Sequence, residues 1–278
     1  MASATCQLFA GLACALLAAA TPVWAAEPPG KSLPPRLDLP PEGLFSLSIT
    51  GEYTTGDYGT TSSTDVWYFP VMLRYQMERA VFRVTVPYLI VEGTGAVVVP
   101  PGDQHGGHVT SSTGHYTDSG LGDVIVSGTY ELLPERDTTP SVGLTGKIKL
   151  ATASRSSNLG TGETDYAVEV ELVKNRDRIT SFVGVGYEIL GDPPGINFND
   201  VLYGYIGAEY RFDNLLSGGV VLDAAQAATT AGSELRQLTA YLVRKIDKTV
   251  SARGYLILGL ADGSPDWGFG VGVIYYWR

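Results

Sequence analysis

The three histidines, His105, His108 and His115, fall in one stretch that also holds Asp103 and Asp118. His-x-x-His spacing beside carboxylates has the ligand types of a metal site. On an irregular polar stretch the plainer reading is a solvated surface loop, and no metal or other cofactor is expected. None of the three lies in a patterned segment where it could serve a serine as general base, so no nucleophilic triad is assembled. Asp123, Asp165, Glu169, Glu171 and Glu209 have the residue types of a glycoside-cleaving pair. Arg74, Arg83, Lys147, Lys149 and Arg211 are interleaved with them, however, and paired carboxylates stay ionised rather than poised as acids. The chain is expected not to be an enzyme.

These ten charged residues share a second property, which is their place in the elements that carry them. Phe45, Leu47, Ile49 and Tyr53 alternate with Ser46, Ser48, Thr50 and Glu52, and this period of two puts apolar and polar side chains on opposite faces of a strand. The pattern recurs until twelve segments are counted, the last carrying Phe269, Val271, Val273, Tyr275 and Trp277 on one face. Arg74, Arg83, Asp123, Lys147, Lys149, Asp165, Glu169, Glu171, Glu209 and Arg211 all fall on the polar face. The phase of the tenth segment, about Leu235 to Lys245, is open. Gly268, Gly270 and Gly272, like Gly184 and Gly186, lie on the polar face and would leave free space there, whereas Tyr203, Tyr205 and Tyr255 would narrow it.

Composition agrees with an all-β chain. Of 278 residues 34 are Gly and 16 Tyr, 44% are hydrophobic and only 17% charged. A net charge of -10 excludes a nucleic-acid partner, which needs a basic footprint. The connections alternate between short ones, such as Asp213-Asn214 and Asp247-Lys248, and longer ones, such as Gly93 to Ser119. Aromatics cluster at strand ends on the apolar face. Alternating short and long connections, aromatic girdles and a polar opposite face together predict a transmembrane antiparallel up-and-down β-barrel of about twelve strands. A soluble two-sheet sandwich would instead bury its large apolar face and carry its charges outside.

Leu8 to Trp24 is almost wholly apolar or small, and Val23-Trp24-Ala25 fits a signal peptidase site. Residues 1–25 are therefore expected to be a signal peptide, 26–42 a Pro-rich periplasmic leader and 43–278 the barrel. Cys6 and Cys14 both fall in the first part, so no disulfide is expected.

Gly120-Leu121-Gly122-Asp123, then Gly146 to Ala153, then Leu159-Gly160-Thr161-Gly162 with Asp165, resemble the outer-membrane family named for the meta-cleavage pathway of phenol degradation. That family usually has Pro-Thr-Gly where Ala151-Thr152-Ala153 stands. The resemblance implies an outer-membrane transporter barrel for small, often apolar or aromatic molecules in the bacterial outer membrane. Passive uptake of such solutes is expected, with outer-membrane lipid and the barrel assembly machinery as partners; the alternative is a structural or adhesive barrel without transport. The charged polar face would then line a lumen and set its selectivity through a transverse field. The apolar run Val97, Val98, Val99 and Pro100 in the longest loop is the expected capture surface or plug.

Overall fold

The computed structural model describes residues 43–94, 115–153, 159–193, 197–230 and 232–278. The expected signal peptide and leader, Val97 to Pro100, His105 and His108 lie outside them. The strands are β1 (Leu44–Gly56), β2 (Thr64–Gln76), β3 (Ala80–Thr94), β4 (His115–Leu121), β5 (Val124–Leu133), β6 (Ser141–Leu150), β7 (Asp165–Arg176), β8 (Ile179–Ile189), β9 (Val201–Arg211), β10 (Leu216–Ala225), β11 (Leu235–Lys245), β12 (Val250–Gly259) and β13 (Trp267–Trp277). Each pairs antiparallel with its neighbours, and β1 pairs with β13, so the sheet closes on itself. Closure through β1 and β13 rules out the two-sheet sandwich, and among the described residues only β4, which pairs with β3 alone, keeps one side unpaired.

β4 and β5 run end to end along the same side of β3, which gives a closed barrel of 12 strands. Between the pairs Thr85↔Ile125 and Tyr88↔Leu121, three steps on β3 are matched by four on its neighbour. The extra residue, at Gly122-Asp123, is a β-bulge that inverts the phase of the strand. This corrects the expected long loop. β3 continues to Thr94 and β4 begins at His115, so the connection is shorter at both ends, and Asp118 sits on a strand. Alternation failed to reveal β4 because its outward Thr117 and Ser119 lie above the apolar band.

Outward positions are apolar or Gly along the middle of every strand but β4, and charged residues appear there only near strand ends, as with Asp65, Arg236 and Arg244. That is the arrangement that surrounding hydrocarbon would favour. Two aromatic girdles border the band. At the end with short turns, Phe45 stacks on Tyr75 (4.5 Å) and on Trp277 (5.6 Å). At the other, Tyr53 packs with Trp67 (4.9 Å) and Trp267 (5.7 Å), and its hydroxyl donates to Asp65 (2.8 Å). The tenth expected segment, now β11, turns Leu235, Gln237, Thr239 and Tyr241 inward.

The short turns are built by local acceptors. Asp213 Oδ1 accepts from the amides of Leu215 (2.6 Å) and Leu216 (2.8 Å), and Asp247 Oδ1 repeats the device with Thr249 (2.6 Å) and Val250 (2.9 Å). Asp177, with φ 54°, opens the two-residue turn between β7 and β8, a position Asp tolerates well.

Candidate functional site

Cα partners in an antiparallel sheet stand side by side, so successive pairings define rows of inward side chains running across the wall. Four rows repeat one arrangement. Tyr205 on β9 faces Gly184 on β8, which faces Glu171 on β7; Tyr203, Gly186 and Glu169 follow in the same order. Tyr241 on β11 faces Gly219 and then Glu209, while Tyr255 on β12 faces Gly270 and then Glu52. In each row the tyrosine ring lies across the glycine, where a Cβ would collide with it, and its hydroxyl donates to the carboxylate beyond.

The bonds are Tyr205 to Glu171 (2.6 Å) and to Glu169 (2.8 Å), Tyr203 to Glu169 (3.1 Å), Tyr241 to Glu209 (3.3 Å), and Tyr255 to Glu52. Arg253 likewise crosses Gly272 to reach the Thr50 hydroxyl. Space expected at Gly184, Gly186 and Gly270 is therefore taken by the rings expected to narrow the lumen elsewhere. A glycine is required because only hydrogen leaves room for a ring against the backbone.

All ten charged residues singled out in the sequence face inward, but they form separate groups rather than one ladder. Glu169, Glu171 and Glu209 belong to the tyrosine rows. Asp123, Lys149 and Asp165 gather at the long-loop end, where Lys149 Nζ contacts Asp165 and lies 3.7 Å from Asp123. Asp123 Oδ1 also accepts from the amides of Thr152 (2.9 Å) and Ala153 (2.8 Å), and Asp165 Oδ1 from Gly191 (2.8 Å). The Gly-Leu-Gly-Asp, Lys-Leu-Ala-Thr-Ala and Asp165 segments thus converge on one polar knot. Arg74, Arg83 and Lys147 form a third group, and Arg211 stands at the short-turn end.

The same long-loop end is apolar inside. Tyr58 and Leu159, from the β1–β2 and β6–β7 connections, pack with Val66, Tyr68, Leu89 and Val91. Tyr58 has φ 50° and donates to Thr54 (2.8 Å). Leu190, Val201, Tyr203, Ala225, Ala228 and Leu235 form a second cluster. Sequence reasoning did not single out Glu52, Arg253, Tyr58 or Leu159 as site residues, although it placed Glu52 on the polar face and Leu159 in the resembling segment. The signal for the first two was register: Gly270 and Gly272 stand between them and their partners.

No protein-family model matches the chain, and no curated protein matches it. Among solved structures it is similar to an outer membrane channel from Pseudomonas putida F1, with a TM-score of 0.63 at 12% identity over 88% of this chain and 99% of that one. It is also similar to the NanC porin, with a TM-score of 0.50 at 12% identity over 82% of this chain and 98% of that one. At such identity the likeness is one of fold, and both neighbours are channels rather than enzymes. The barrel fold of this chain is that of bacterial outer-membrane channels and porins.

Proposed function

We propose that the protein is an outer-membrane channel for passive passage of small solutes, apolar or aromatic ones among them. The observation that carries this reading is the opposition of two faces on one closed sheet: a band free of charge between aromatic girdles outside, and a charged, hydroxyl-rich face inside. Arg83, Thr129, Thr145, Lys147 and Glu171 are only half-buried on that inner face, which is what a water path requires. The ten inward charges would set selectivity, and Val97 to Pro100 would act as capture surface or plug. Residues 1–25 would direct export and 26–42 would lead into the barrel. In this reading the protein acts without catalysis, in contact with outer-membrane lipid and the assembly machinery, and the resemblance to the phenol-degradation family supports an aromatic solute.

A structural barrel without transport is the second reading, favoured by the packing of Tyr58 and Leu159 inside the long-loop end. Residues 26–278, refolded into a planar lipid bilayer, separate the two. Discrete current steps in salt alone are expected for a channel. A folded but silent barrel that also fails to admit a fluorinated aromatic hydrocarbon into vesicles would overturn the channel reading.

A further inference from the structure

Burial divides the inner wall into two unlike halves. β12 stands across the lumen from β6, six staves away in either direction, and its inward Ser251, Arg253, Tyr255 and Ile257 are all buried. A cluster from Val173 and Phe182 through Tyr205, Val221 and Tyr241 to Ile257 packs along the lumen side of β7–β12. On β1, Ser46, Ser48, Thr50, Glu52 and Thr54 are buried as well. The facing staves differ. On β5 the inward Ile125, Ser127, Thr129 and Glu131 all keep part of their surface exposed, and on β6 so do Ser141, Gly143, Thr145 and Lys147. Large rings occupy one half and mostly hydroxyls and a glycine line the other, so the space left in the lumen is displaced toward β5 and β6.

Gly143 marks the open half most sharply. Its row runs from Glu131 on β5 through Gly143 on β6 and Glu171 on β7 to Gly184 on β8 and Tyr205 on β9. Glu171 therefore stands between two glycines, and the tyrosine ring lies across only one of them. A Cβ on Gly143 would meet the Thr129 methyl at 3.7 Å and Glu171 Oε1 at 4.0 Å, which are ordinary contacts. Every other inward glycine on the described strands has an atom within 3.2 Å of the same point. Gly143 thus makes room for no packing partner, and its bare Cα leaves a notch near the start of β6, toward the short-turn mouth. The border of the notch is held by hydrogen bonds: Thr129 and Thr145 share one (2.8 Å), and Arg83 Nη1 donates to Thr129 (3.2 Å).

We infer that solute crosses the barrel eccentrically, along β5 and β6, and that Gly143 is the position that sets the largest solute admitted. The inference rests on the channel reading and adds to it the side of the lumen that is used and the residue that limits it. A side chain added at Gly143 would project into the open half, where nothing in the wall must move to receive it.

The test uses residues 26–278 in a planar lipid bilayer. Cys6 and Cys14 are the only cysteines of the chain, so Gly143→Cys carries a single thiol there. A cationic methanethiosulfonate reagent should lower the current through Gly143→Cys and leave Thr239→Cys, 0% exposed on β11, unchanged. Gly143→Trp should lower conductance about threefold, whereas Gly146→Trp, which turns its ring outward from the same strand, should not. Vesicle swelling in a series of sugars should place the size cutoff in the order wild type, Gly143→Ala, Gly143→Leu, from largest to smallest. Heat-modifiable migration on gels establishes that each variant is folded. Wild-type conductance in a folded Gly143→Trp barrel, an unchanged size cutoff, or a Gly143→Cys current indifferent to the reagent overturns the path and keeps the channel. Equal block at Thr239→Cys overturns the one-sided lumen. A wild-type barrel silent in the bilayer removes the channel and the path together.

Discussion

Tyr205 donates its hydroxyl to Glu171 at 2.6 Å across the bare Cα of Gly184, so two residues on strands that do not pair with each other are joined over the strand between them. The reach is set by geometry. Strands lie about 4.8 Å apart, and a tyrosine lying flat spans one strand only when that strand has no side chain in the way. The carboxylate is thereby drawn to the wall and its charge covered by an aromatic ring. Repetition at Tyr203–Glu169, Tyr241–Glu209 and Tyr255–Glu52 makes this the dominant device of the inner wall.

Replacing Gly184 with alanine should lift Tyr205 off the wall. A Cβ there would fall within the phenol ring, and overpacking of this kind costs about 1–3 kcal/mol. Gly146→Ala is the matched control, since nothing lies within 4 Å of its Cβ position. Urea midpoints of the refolded barrels should fall for the first and stay put for the second. Equal midpoints would show that the ring moves aside freely.

Tyr205→Phe keeps the ring and removes the donor shared by Glu169 (2.8 Å) and Glu171 (2.6 Å). Each hydrogen bond to a charged group contributes about 1.5–3 kcal/mol, so stability should drop measurably. The two carboxylates would then turn toward water in the lumen, and reversal potentials across a salt gradient should shift toward cations. An unchanged reversal potential would mean that these carboxylates do not face the ion path.

Strand number, the inward set of charges and the phase of every expected segment but the tenth were legible because an apolar outer face and a polar inner face on one closed sheet impose a period of two that local composition records directly. Residue grouping was not. Whether Arg83 meets Glu171, Thr129 or Lys147 depends on register between strands distant in sequence, and no single strand carries that information. β4 escaped for a related reason: the bulge at Gly122-Asp123 reverses the phase just where polar residues already occupy both faces. The tyrosine rows were visible only as separate halves, glycines every second residue on one strand and tyrosines every second residue on the next.

The two aspartate-built turns make stability depend on acid. Amide hydrogen bonds from Leu215 and Leu216 hold the Asp213 carboxyl below the usual carboxylate range, and the Thr249 amide and hydroxyl do the same for Asp247. A carboxyl whose folded pKa is depressed contributes stability that is fully present above its unfolded value, about 3.9, and is lost as pH falls through the folded one. Unfolding midpoints of the wild type should therefore decline below about pH 4. The Asp213→Ala/Asp247→Ala double variant should start lower at neutral pH and decline less. Parallel declines would assign the acid sensitivity to other carboxylates.

Leu159 closes part of the long-loop end, and the start of its connection is tied down at Thr152 and Ala153. Asp123 holds the amides of Thr152 and Ala153, Thr152 Oγ1 accepts from the Val124 amide (2.8 Å), and Leu159 is left 2% exposed against Leu89 and Val91. Its truncation to alanine removes apolar contacts at a cost of about 2–5 kcal/mol and opens volume at the mouth. Single-channel conductance of Leu159→Ala should exceed that of the wild type with the same ion preference, because no charge has changed. Asp123→Ala should raise it further and leave the 151–164 connection open to limited proteolysis, since the anchor itself is lost. Conductance equal in all three barrels would place the ion path away from this cluster.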